Sequence, residues 1–191
     1  MRQRDAVDLL ADSGAGALGP TTWADLDCGD GTFTLALADL LSSGSIIHAM
    51  DRDASALRRI PSAHNGVRIV THRGDFTSET WPFGDGDLDG ILMANSLHYV
   101  DDQASFVRGC ARHLKPPHRF LIVEYDTTAA NPWVPYPVSQ MRLRELFERA
   151  GYSSIRVLRS RPSVFRRAPL YAAAIEGAHD GSPERLNHET R

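Results

Sequence analysis

Short apolar segments alternate with amphipathic segments along most of the chain. Five apolar runs have the length and composition of buried β-strands, over residues 23–26, 46–50, 67–71, 88–93 and 120–124. Other segments place apolar residues three and four positions apart, as a helix with one buried face does, over residues 5–11, 32–41, 54–60, 102–114 and 139–150. This alternation predicts a parallel β-sheet that is covered by helices on both faces.

The pattern changes after Gly151. Residues 154–157 and 163–166 have strand character with Pro162 between them, and residues 170–176 follow as another strand without an intervening helix. Strands that are joined without a crossover run antiparallel. We therefore predict an α/β fold, in which a doubly wound, mostly parallel, seven-stranded sheet ends in an antiparallel C-terminal hairpin.

The length and composition favour one globular domain. The 191 residues are 42% hydrophobic and 24% charged, so the chain has enough apolar surface to bury a core. We expect one domain over residues 1–177 and a flexible polar tail over residues 178–191. No apolar run approaches the roughly 20 residues that span a membrane, and the first residues lack the pattern of a secretory signal. These features predict a cytoplasmic protein that does not bind membranes.

The two cysteines give no sign of a metal site or a disulfide. Cys28 and Cys110 lie far apart in the sequence, and neither belongs to a Cys-x-x-Cys motif or a cluster of cysteine and histidine. We therefore expect no metal site in this chain.

The charge of the chain argues against nucleic-acid binding. With 21 basic and 24 acidic side chains the net charge is -3, which gives no general attraction to phosphates. Residues 142–167 differ, because they contain eight arginines and only Glu145 and Glu148 as acidic residues. This region is either a solvated surface or a patch for an anionic substrate or partner.

The segment between the first strand and the helix that follows it has the most specific pattern in the chain. Asp25 lies on the strand, and Gly29 and Gly31 follow in a turn that leads directly into the helix. Such a turn lets the backbone approach a nucleotide-like ligand, because no side chain stands in the way. A dinucleotide-binding motif is the alternative interpretation, but it requires a third small residue where this chain has Thr34.

Carboxylates also follow the next two predicted strands. Asp51 ends the second strand, twenty residues after Gly31, where a carboxylate can accept hydrogen bonds from both hydroxyls of a ribose. Asp75 follows the third strand and can accept a hydrogen bond from an adenine amino group, while the ring of Phe76 can lie against the base. Because ligands of open α/β sheets bind at the carboxyl ends of the strands, these features support one another.

At these residues the sequence resembles the class I S-adenosylmethionine-dependent methyltransferases. The first motif of that family runs acid-x-Gly-x-Gly-x-Gly, and Asp25, Gly29 and Gly31 match it position by position. The resemblance covers about residues 22–176 and includes the reversed hairpin. It implies S-adenosyl-L-methionine as the cofactor, S-adenosyl-L-homocysteine as the product, and a binding site formed by Asp25, Asp27, Cys28, Gly29, Gly31, Asp51, Arg52, Asp75, Phe76, Asn95, Ser96 and Leu97.

Asp27 departs from the family motif, which has glycine at this position. The resemblance implies that the backbone here comes close to the methionine part of the cofactor. Two outcomes follow for the carboxylate. It could pair with the ammonium group of the cofactor, or it could repel the carboxylate of the cofactor and weaken its binding.

The loops after the fourth and fifth strands are expected to supply the chemistry. Methyl transfer requires an aligned nucleophile and, for some acceptors, the removal of a proton. His98 is the candidate catalytic base near neutral pH, with a purely structural histidine as the alternative. Aromatic side chains nearby are candidates for the walls of the acceptor pocket, namely Tyr99, Tyr125, Trp133 and Tyr136.

The resemblance implies methyl transfer to the oxygen or nitrogen of a small organic acceptor. Two alternatives are a catalytically inactive binding or regulatory protein with the same fold, and an RNA or protein methyltransferase that docks through residues 142–167. About 21 residues precede the first strand, which is too few for a long lid. We therefore expect an open pocket, a pocket completed by a second subunit in a homodimer, or a pocket covered by residues 127–137.

Overall fold

A computed structural model describes residues 1–17, 19–78, 81–162 and 168–177. The helices in these ranges are α1 (Gln3–Leu10), α2 (Thr32–Leu40), α3 (Ala54–Leu57), α4 (Gln103–Cys110) and α5 (Gln140–Arg149). The strands are β1 (Thr22–Leu26), β2 (Ile46–Asp51), β3 (Ala63–His64), β4 (Val67–Arg73), β5 (Leu88–Ala94), β6 (Leu114–Tyr125), β7 (Ser154–Arg161) and β8 (Leu170–Gly177).

All of these strands form one sheet, in the order β3-β4-β2-β1-β5-β6-β8-β7. The strands β4, β2, β1, β5 and β6 run parallel, and β8 runs antiparallel to both of its neighbours. Because β1 lies between β2 and β5, the order of the strands along the chain reverses beside it. In open α/β sheets the carboxyl ends of the strands at such a reversal form the ligand-binding crevice.

Successive side chains of the central strands enter two different cores. Trp23 of β1 and Leu121 of β6 belong to the core that includes residues of α1 and α2. Their neighbours in the chain, Ala24 and Phe120, belong to the core that includes residues of α4 and α5. This two-sided burial confirms the predicted α/β sheet with helices on both faces.

Three helices begin at residues that can cap them. The side chains of Asp53, Asp102 and Ser139 each accept a hydrogen bond from a backbone N–H group in the first turn, before α3, α4 and α5 respectively. Such a cap satisfies an N–H group that has no partner within the helix. The caps therefore fix the residue at which each of these helices begins.

The sheet has one strand more than the predicted seven, because the short strand β3 precedes β4. His64 pairs with Val67 across a two-residue turn. The turn residues Asn65 and Gly66 have φ angles of 49° and 78°, and Asn-Gly is a favoured sequence for a hairpin turn with two positive φ angles. The strand was missed because it is only two residues long and has no apolar pattern of its own.

Several boundaries also differ from those predicted. The helix predicted over residues 102–114 ends at Cys110 and continues as a 3-10 turn over Ala111–His113. β6 begins at Leu114 rather than at residue 120, because Leu114 already pairs with the start of β5. The helix predicted over residues 54–60 is confined to α3. The strand predicted over residues 163–166 and the tail predicted over residues 178–191 lie outside the described residues.

Gly90 and Gly109 provide a matched test of this packing. A Cβ on Gly90 in β5 would lie 2.5 Å from the ring of buried Trp23, whereas no described atom would lie within 4 Å of a Cβ on Gly109 in α4. We expect Gly90→Ala to lower the free energy of unfolding by about 1–3 kcal/mol through overpacking. Gly109→Ala should raise it by about 0.5–1 kcal/mol, because alanine favours a helix. Urea denaturation measures both changes, and two equal changes would contradict the packing described.

Candidate functional site

The turn after β1 contains three residues with a left-handed backbone. Asp27, Gly29 and Gly31 have φ angles of 66°, 56° and 85°. A Cβ on Gly31 would lie 2.8 Å from Cγ1 of Ile60, whereas a Cβ on Gly29 would have no described atom within 4 Å. The turn is therefore closed against Ile60 on one side and open at Gly29, as expected for a backbone that approaches a ligand.

Asp51 holds this turn in place. Its Oδ2 accepts a hydrogen bond from the backbone N–H of Gly29 at 2.8 Å, and its Oδ1 accepts one from the N–H of Asp53 at 2.7 Å. The backbone carbonyl of Asp51 accepts a hydrogen bond from the N–H of Gly74 at 3.0 Å. Asp51 thus joins the carboxyl ends of β1, β2 and β4, a structural role that was not predicted from the sequence.

Cys28 contributes to the turn mainly through its backbone, and its thiol makes one long contact of 3.8 Å with the carbonyl of Gly29. Its N–H donates to the carbonyl of Met50 at 3.0 Å, and its carbonyl accepts from the N–H of Gly31 at 3.0 Å. The side chain is buried, and burial raises the pKa of the thiol. A thiol in this environment stays protonated and is a poor nucleophile.

Asp75 and Arg52 meet beside the ends of β4 and β2. Oδ1 of Asp75 accepts hydrogen bonds from Oγ1 and the N–H of Thr77 at 2.6 Å and 2.9 Å, and these bonds hold the pKa of Asp75 below its ordinary value. Nη1 of Arg52 lies 3.5 Å from Oδ2 of Asp75. Both side chains are partly exposed, so they are accessible at the edge of the site.

The side chain of Phe76 points away from the site, although Phe76 follows Asp75 in the chain. Its side chain is 2% exposed and belongs to the core with α4 and α5. Its ring meets that of Phe106 edge-to-face, with the ring centroids 5.7 Å apart. The structure therefore does not support the expected contact between this ring and an adenine base, because the chain turns Phe76 into the core.

Asp25 is buried beneath the turn. It is 1% exposed, and its Oδ2 accepts a hydrogen bond from Oγ1 of Thr34 at 2.6 Å. Its Oδ1 has no hydrogen-bond partner among the described residues. Burial raises the pKa of Asp25 to about 7. Thr34, which departs from a dinucleotide-binding motif, is therefore the partner of the acid in the glycine motif.

Asp27 is half-buried at the end of β1. No hydrogen bond or ion pair joins its carboxylate to a described residue. Burial raises the pKa of Asp27, and the charge of Asp51 raises it further, while Arg52 and His98 act in the opposite direction. The charged groups that act on Asp27 belong to the end of β2, the segment after β4 and the segment after β5.

The segment after β5 brings unsatisfied polar atoms to this edge of the sheet. Asn95 has a φ angle of 57°, and its N–H donates to the carbonyl of Val123 at 2.8 Å. Oδ1 of Asn95 and Oγ of Ser96 are buried without a hydrogen-bond partner in the described part of the chain. Leu97 is fully buried in the core. Buried polar atoms are costly unless they are bonded, so Asn95 and Ser96 fit a ligand that supplies hydrogen bonds here.

His98 and Glu124 form a buried pair. They are 2% and 0% exposed, Nδ1 of His98 lies 2.6 Å from Oε2 of Glu124, and the N–H of His98 donates to Oε1 at 3.2 Å. Nε2 of His98 has no hydrogen-bond partner within the described ranges. Glu124 was missed as a site residue because it ends an apolar strand and lies 26 residues from its partner. The one feature of the sequence that could have identified Glu124 as a site residue is its position at the end of a strand.

Tyr99 lies against this pair. The centroids of the His98 and Tyr99 rings are 4.4 Å apart. Burial raises the pKa of Tyr99, and the charges of Asp27 and Glu124, followed by Tyr125, raise it further. The ring of Tyr99 therefore lies beside the predicted base, whereas the side chain of Tyr125 packs against the core that includes residues of α1 and α2.

The loop over residues 127–137 is attached to the same place. The N–H of Tyr136 donates to the carbonyl of His98 at 3.0 Å, and Nε2 of Gln103 donates to the carbonyl of Tyr136 at 2.9 Å. Trp133 in this loop is 78% exposed. The backbone of the loop thus borders the site, while a role of Trp133 in an acceptor wall stays a prediction.

Comparison with known proteins identifies relatives that share a reaction. Residues 24–117 match the model of a methyltransferase domain family. A probable S-adenosylmethionine-dependent methyltransferase from Mycolicibacterium smegmatis is 25% identical over 163 residues, which are 81% of this chain and 58% of the relative. A ubiquinone biosynthesis O-methyltransferase from Sodalis glossinidius is 28% identical over 130 residues, which are 66% of this chain and 48% of the relative. The chain thus spans about half to three-fifths of the length of these curated relatives.

A solved structure extends the comparison to the fold. The crystal structure of Burkholderia thailandensis 1,6-didemethyltoxoflavin-N1-methyltransferase matches with a TM-score of 0.64 at 20% identity, over 91% of this chain and 77% of that chain. That structure contains 1,6-didemethyltoxoflavin and S-adenosylhomocysteine. The chain has the fold of the class I S-adenosylmethionine-dependent methyltransferases. The predicted fold class is thereby confirmed.

The residues of this site fit an adenosyl cofactor in two respects. The turn leaves space beside Gly29, where the backbone can approach a ligand. The buried Oδ1 of Asn95 and Oγ of Ser96 have no hydrogen-bond partner among the described residues, and a ligand could supply one. The described residues include no group of three or more His, Cys, Asp or Glu side chains that could hold a metal ion. None of the described helices is long and apolar enough to cross a membrane.

Two arginines in residues 142–167 form ion pairs with acidic residues inside the fold. Nη2 of Arg159 lies 3.0 Å from Oδ2 of Asp12, and Nη1 of Arg161 lies 3.1 Å from Oδ1 of Asp5. These pairs connect β7 with α1 and the residues that follow it. They neutralise part of the positive charge over residues 142–167, of which residues 163–167 lie outside the described part.

The buried carboxyl of Asp25 should make stability depend on pH. Its pKa of about 7 in the folded protein lies above the value of about 4 for an unfolded chain, so the folded state keeps a proton that the unfolded state releases. Stability is therefore lost as the pH rises through this window. The Asp25→Asn variant has no proton to lose at this position, so its free energy of unfolding should not show this decrease. The difference in free energy of unfolding, variant minus wild type, should therefore rise by up to roughly 4 kcal/mol between pH 4 and pH 8. Urea denaturation at several pH values measures this difference, and a constant difference would refute the assignment.

Proposed function

We propose that this protein is a methyltransferase that uses S-adenosyl-L-methionine and acts on an oxygen or nitrogen of a small organic acceptor. The observation that carries the proposal is the convergence of the acid and glycine turn, two carboxylates and the His98–Glu124 pair at the carboxyl ends of neighbouring parallel strands. The similar proteins support the reaction but differ in the acceptor atom, since one is an O-methyltransferase and another an N1-methyltransferase.

The order of the strands gives the order of the proposed contacts with the cofactor. Asp75 after β4 would accept a hydrogen bond from the adenine amino group, and Asp51 at the end of β2 would accept hydrogen bonds from the ribose. The turn at Gly29 would border the amino-acid part, and Asn95 and Ser96 would line the opposite side. When bound, S-adenosyl-L-methionine supplies a methyl group on a positively charged sulfur and leaves as S-adenosyl-L-homocysteine.

His98 is the proposed base, and Glu124 holds it in position. Because Glu124 accepts the hydrogen bond from Nδ1, the other ring nitrogen, Nε2, keeps its lone pair. Nε2 can then take a proton from a hydroxyl or an ammonium group of the acceptor. The positive charge that develops on the ring is stabilised by the buried carboxylate of Glu124.

Aromatic residues would form the acceptor pocket beside this base. Tyr99 lies beside the ring of His98, and the backbone of Tyr136 is bonded to that of His98. Tyr125 follows Glu124 at the end of β6, and Trp133 lies in the same loop as Tyr136. Flat rings with hydroxyl groups can contact an organic molecule and also hydrogen-bond to it. We propose that the loop over residues 127–137 covers this pocket. The pairing of Arg159 and Arg161 within the fold favours a small acceptor over a nucleic acid.

Calorimetric titration with S-adenosylhomocysteine tests the cofactor site. We expect the wild type to bind this ligand and not NADH. Asp51→Asn keeps the size of the side chain but removes one acceptor, so it should weaken binding by about 1–3 kcal/mol. Asp53→Asn is the matched control, because asparagine caps a helix as well as aspartate does and Asp53 is exposed. Failure of the folded wild type to bind S-adenosylhomocysteine would refute the proposed cofactor.

The state of His98 can be tested without knowledge of the acceptor. We expect 15N NMR of the neutral ring to show the proton on Nδ1, because Glu124 accepts from that atom. In Glu124→Gln one amide oxygen must replace two carboxylate oxygens that accept from His98, so the preference for this tautomer should weaken or reverse. A wild-type ring with the proton on Nε2 would contradict the proposed base, because no lone pair would then be available there.

A further inference from the structure

Four aspartates lie at the ligand edge of the sheet, and one of them differs from the others in its contacts. Asp25, Asp51 and Asp75 each accept at least one hydrogen bond from a neighbouring residue through their carboxylate. The carboxylate of Asp27 makes no hydrogen bond or ion pair with any residue that the structure describes, although it is half-buried. A carboxylate in such a place requires a partner when a ligand covers it, because burial without a partner is costly.

The strand order indicates which part of the cofactor reaches Asp27. Under the proposed function, Asp75 beside β4 meets the adenine and Asp51 at the end of β2 meets the ribose. The next strand in the sheet is β1, and Asp27 is the first residue after it. The part of the cofactor beyond the ribose, which carries the amino acid, therefore lies over the turn that contains Asp27.

The charges that face Asp27 favour a cation at this point. Asp51 and Asp75 add negative potential, Arg52 reduces it, and His98 reduces it only when its ring is protonated. Neither Arg52 nor His98 forms an ion pair with Asp27 in the structure, since Arg52 pairs with Asp75 and His98 with Glu124. The amino-acid end of the cofactor offers one cation, its α-ammonium group.

We propose that the carboxylate of Asp27 binds the α-ammonium group of the adenosyl cofactor. This inference rests on the proposed function, and it decides between the two outcomes that the sequence left open for this residue. An ammonium group can donate to the carboxylate in a charge-assisted hydrogen bond, which is stronger than a bond between neutral groups. The carboxylate end of the amino acid is then directed away from Asp27.

The backbone at Asp27 adds an independent argument. Its φ angle of 66° lies in the left-handed region, which glycine adopts more easily than any residue with a side chain. Asp27→Gly should therefore stabilise the protein, because it removes both the strained conformation and an unpaired, half-buried carboxylate. If Asp27 binds the ammonium group, the same substitution must weaken cofactor binding. Stability and affinity should thus change in opposite directions.

Calorimetry with two ligands tests the assignment. S-adenosylhomocysteine carries the ammonium group, whereas methylthioadenosine has the same nucleoside and a thioether but no amino acid. We expect Asp27→Asn and Asp27→Gly to weaken binding of S-adenosylhomocysteine about ten- to a hundredfold, the usual range for a hydrogen bond to a charged group, and to leave methylthioadenosine binding within about twofold. Asp30→Asn is the matched control, because Asp30 is an exposed aspartate in the same turn, and it should change neither affinity.

The other outcomes overturn the proposal in distinguishable ways. Unchanged or tighter binding of S-adenosylhomocysteine by Asp27→Asn would show that Asp27 does not bind the ammonium group, and would direct attention to an amine on the acceptor. Equal weakening of both ligands would show a general distortion of the turn. If the folded wild type binds neither adenosyl ligand, the proposed function itself fails, and this inference fails with it. Thermal unfolding of Asp27→Gly supplies the separate readout, since a lower melting temperature would contradict the argument from the backbone.

Discussion

Helices cover both faces of the central strands, so each buried N–H and C=O group of these strands must find a partner within the sheet or in a side chain. The parallel ladder meets this requirement along the strands but not at their carboxyl ends, where the chain turns away. At that edge the carboxylate of Asp51 accepts hydrogen bonds from the N–H groups of Gly29 and Asp53. One buried side chain therefore joins the glycine turn after β1 to the loop that follows β2.

The alternation of elements could be predicted because strands that are buried on both faces are apolar throughout, whereas helices keep a polar face. Features that depend on only a few residues could not be predicted in this way. β3 has two residues and depends on the Asn65–Gly66 turn rather than on an apolar pattern. The boundary between α4 and β6 depends on the pairing of Leu114 with β5, which is a contact between distant parts of the chain.

The candidate site was predicted where its signal is local, as in the spacing of Asp25, Gly29 and Gly31. Glu124 was missed because it lies far from its partner His98 in the sequence, and neither residue indicates the other. Phe76 shows a further reason, because the sequence places it next to Asp75 but cannot say that its ring turns into the core. Sequence spacing thus identifies strand ends, while the direction of each side chain is decided by packing.

The bond between the loop over residues 127–137 and His98 joins main-chain atoms, the N–H of Tyr136 and the carbonyl of His98. A bond of this kind does not depend on which side chains the loop carries. The loop can therefore exchange its side chains in the course of evolution without displacing the histidine beside it. The lining of the proposed acceptor pocket would then change while the backbone next to the histidine keeps its geometry.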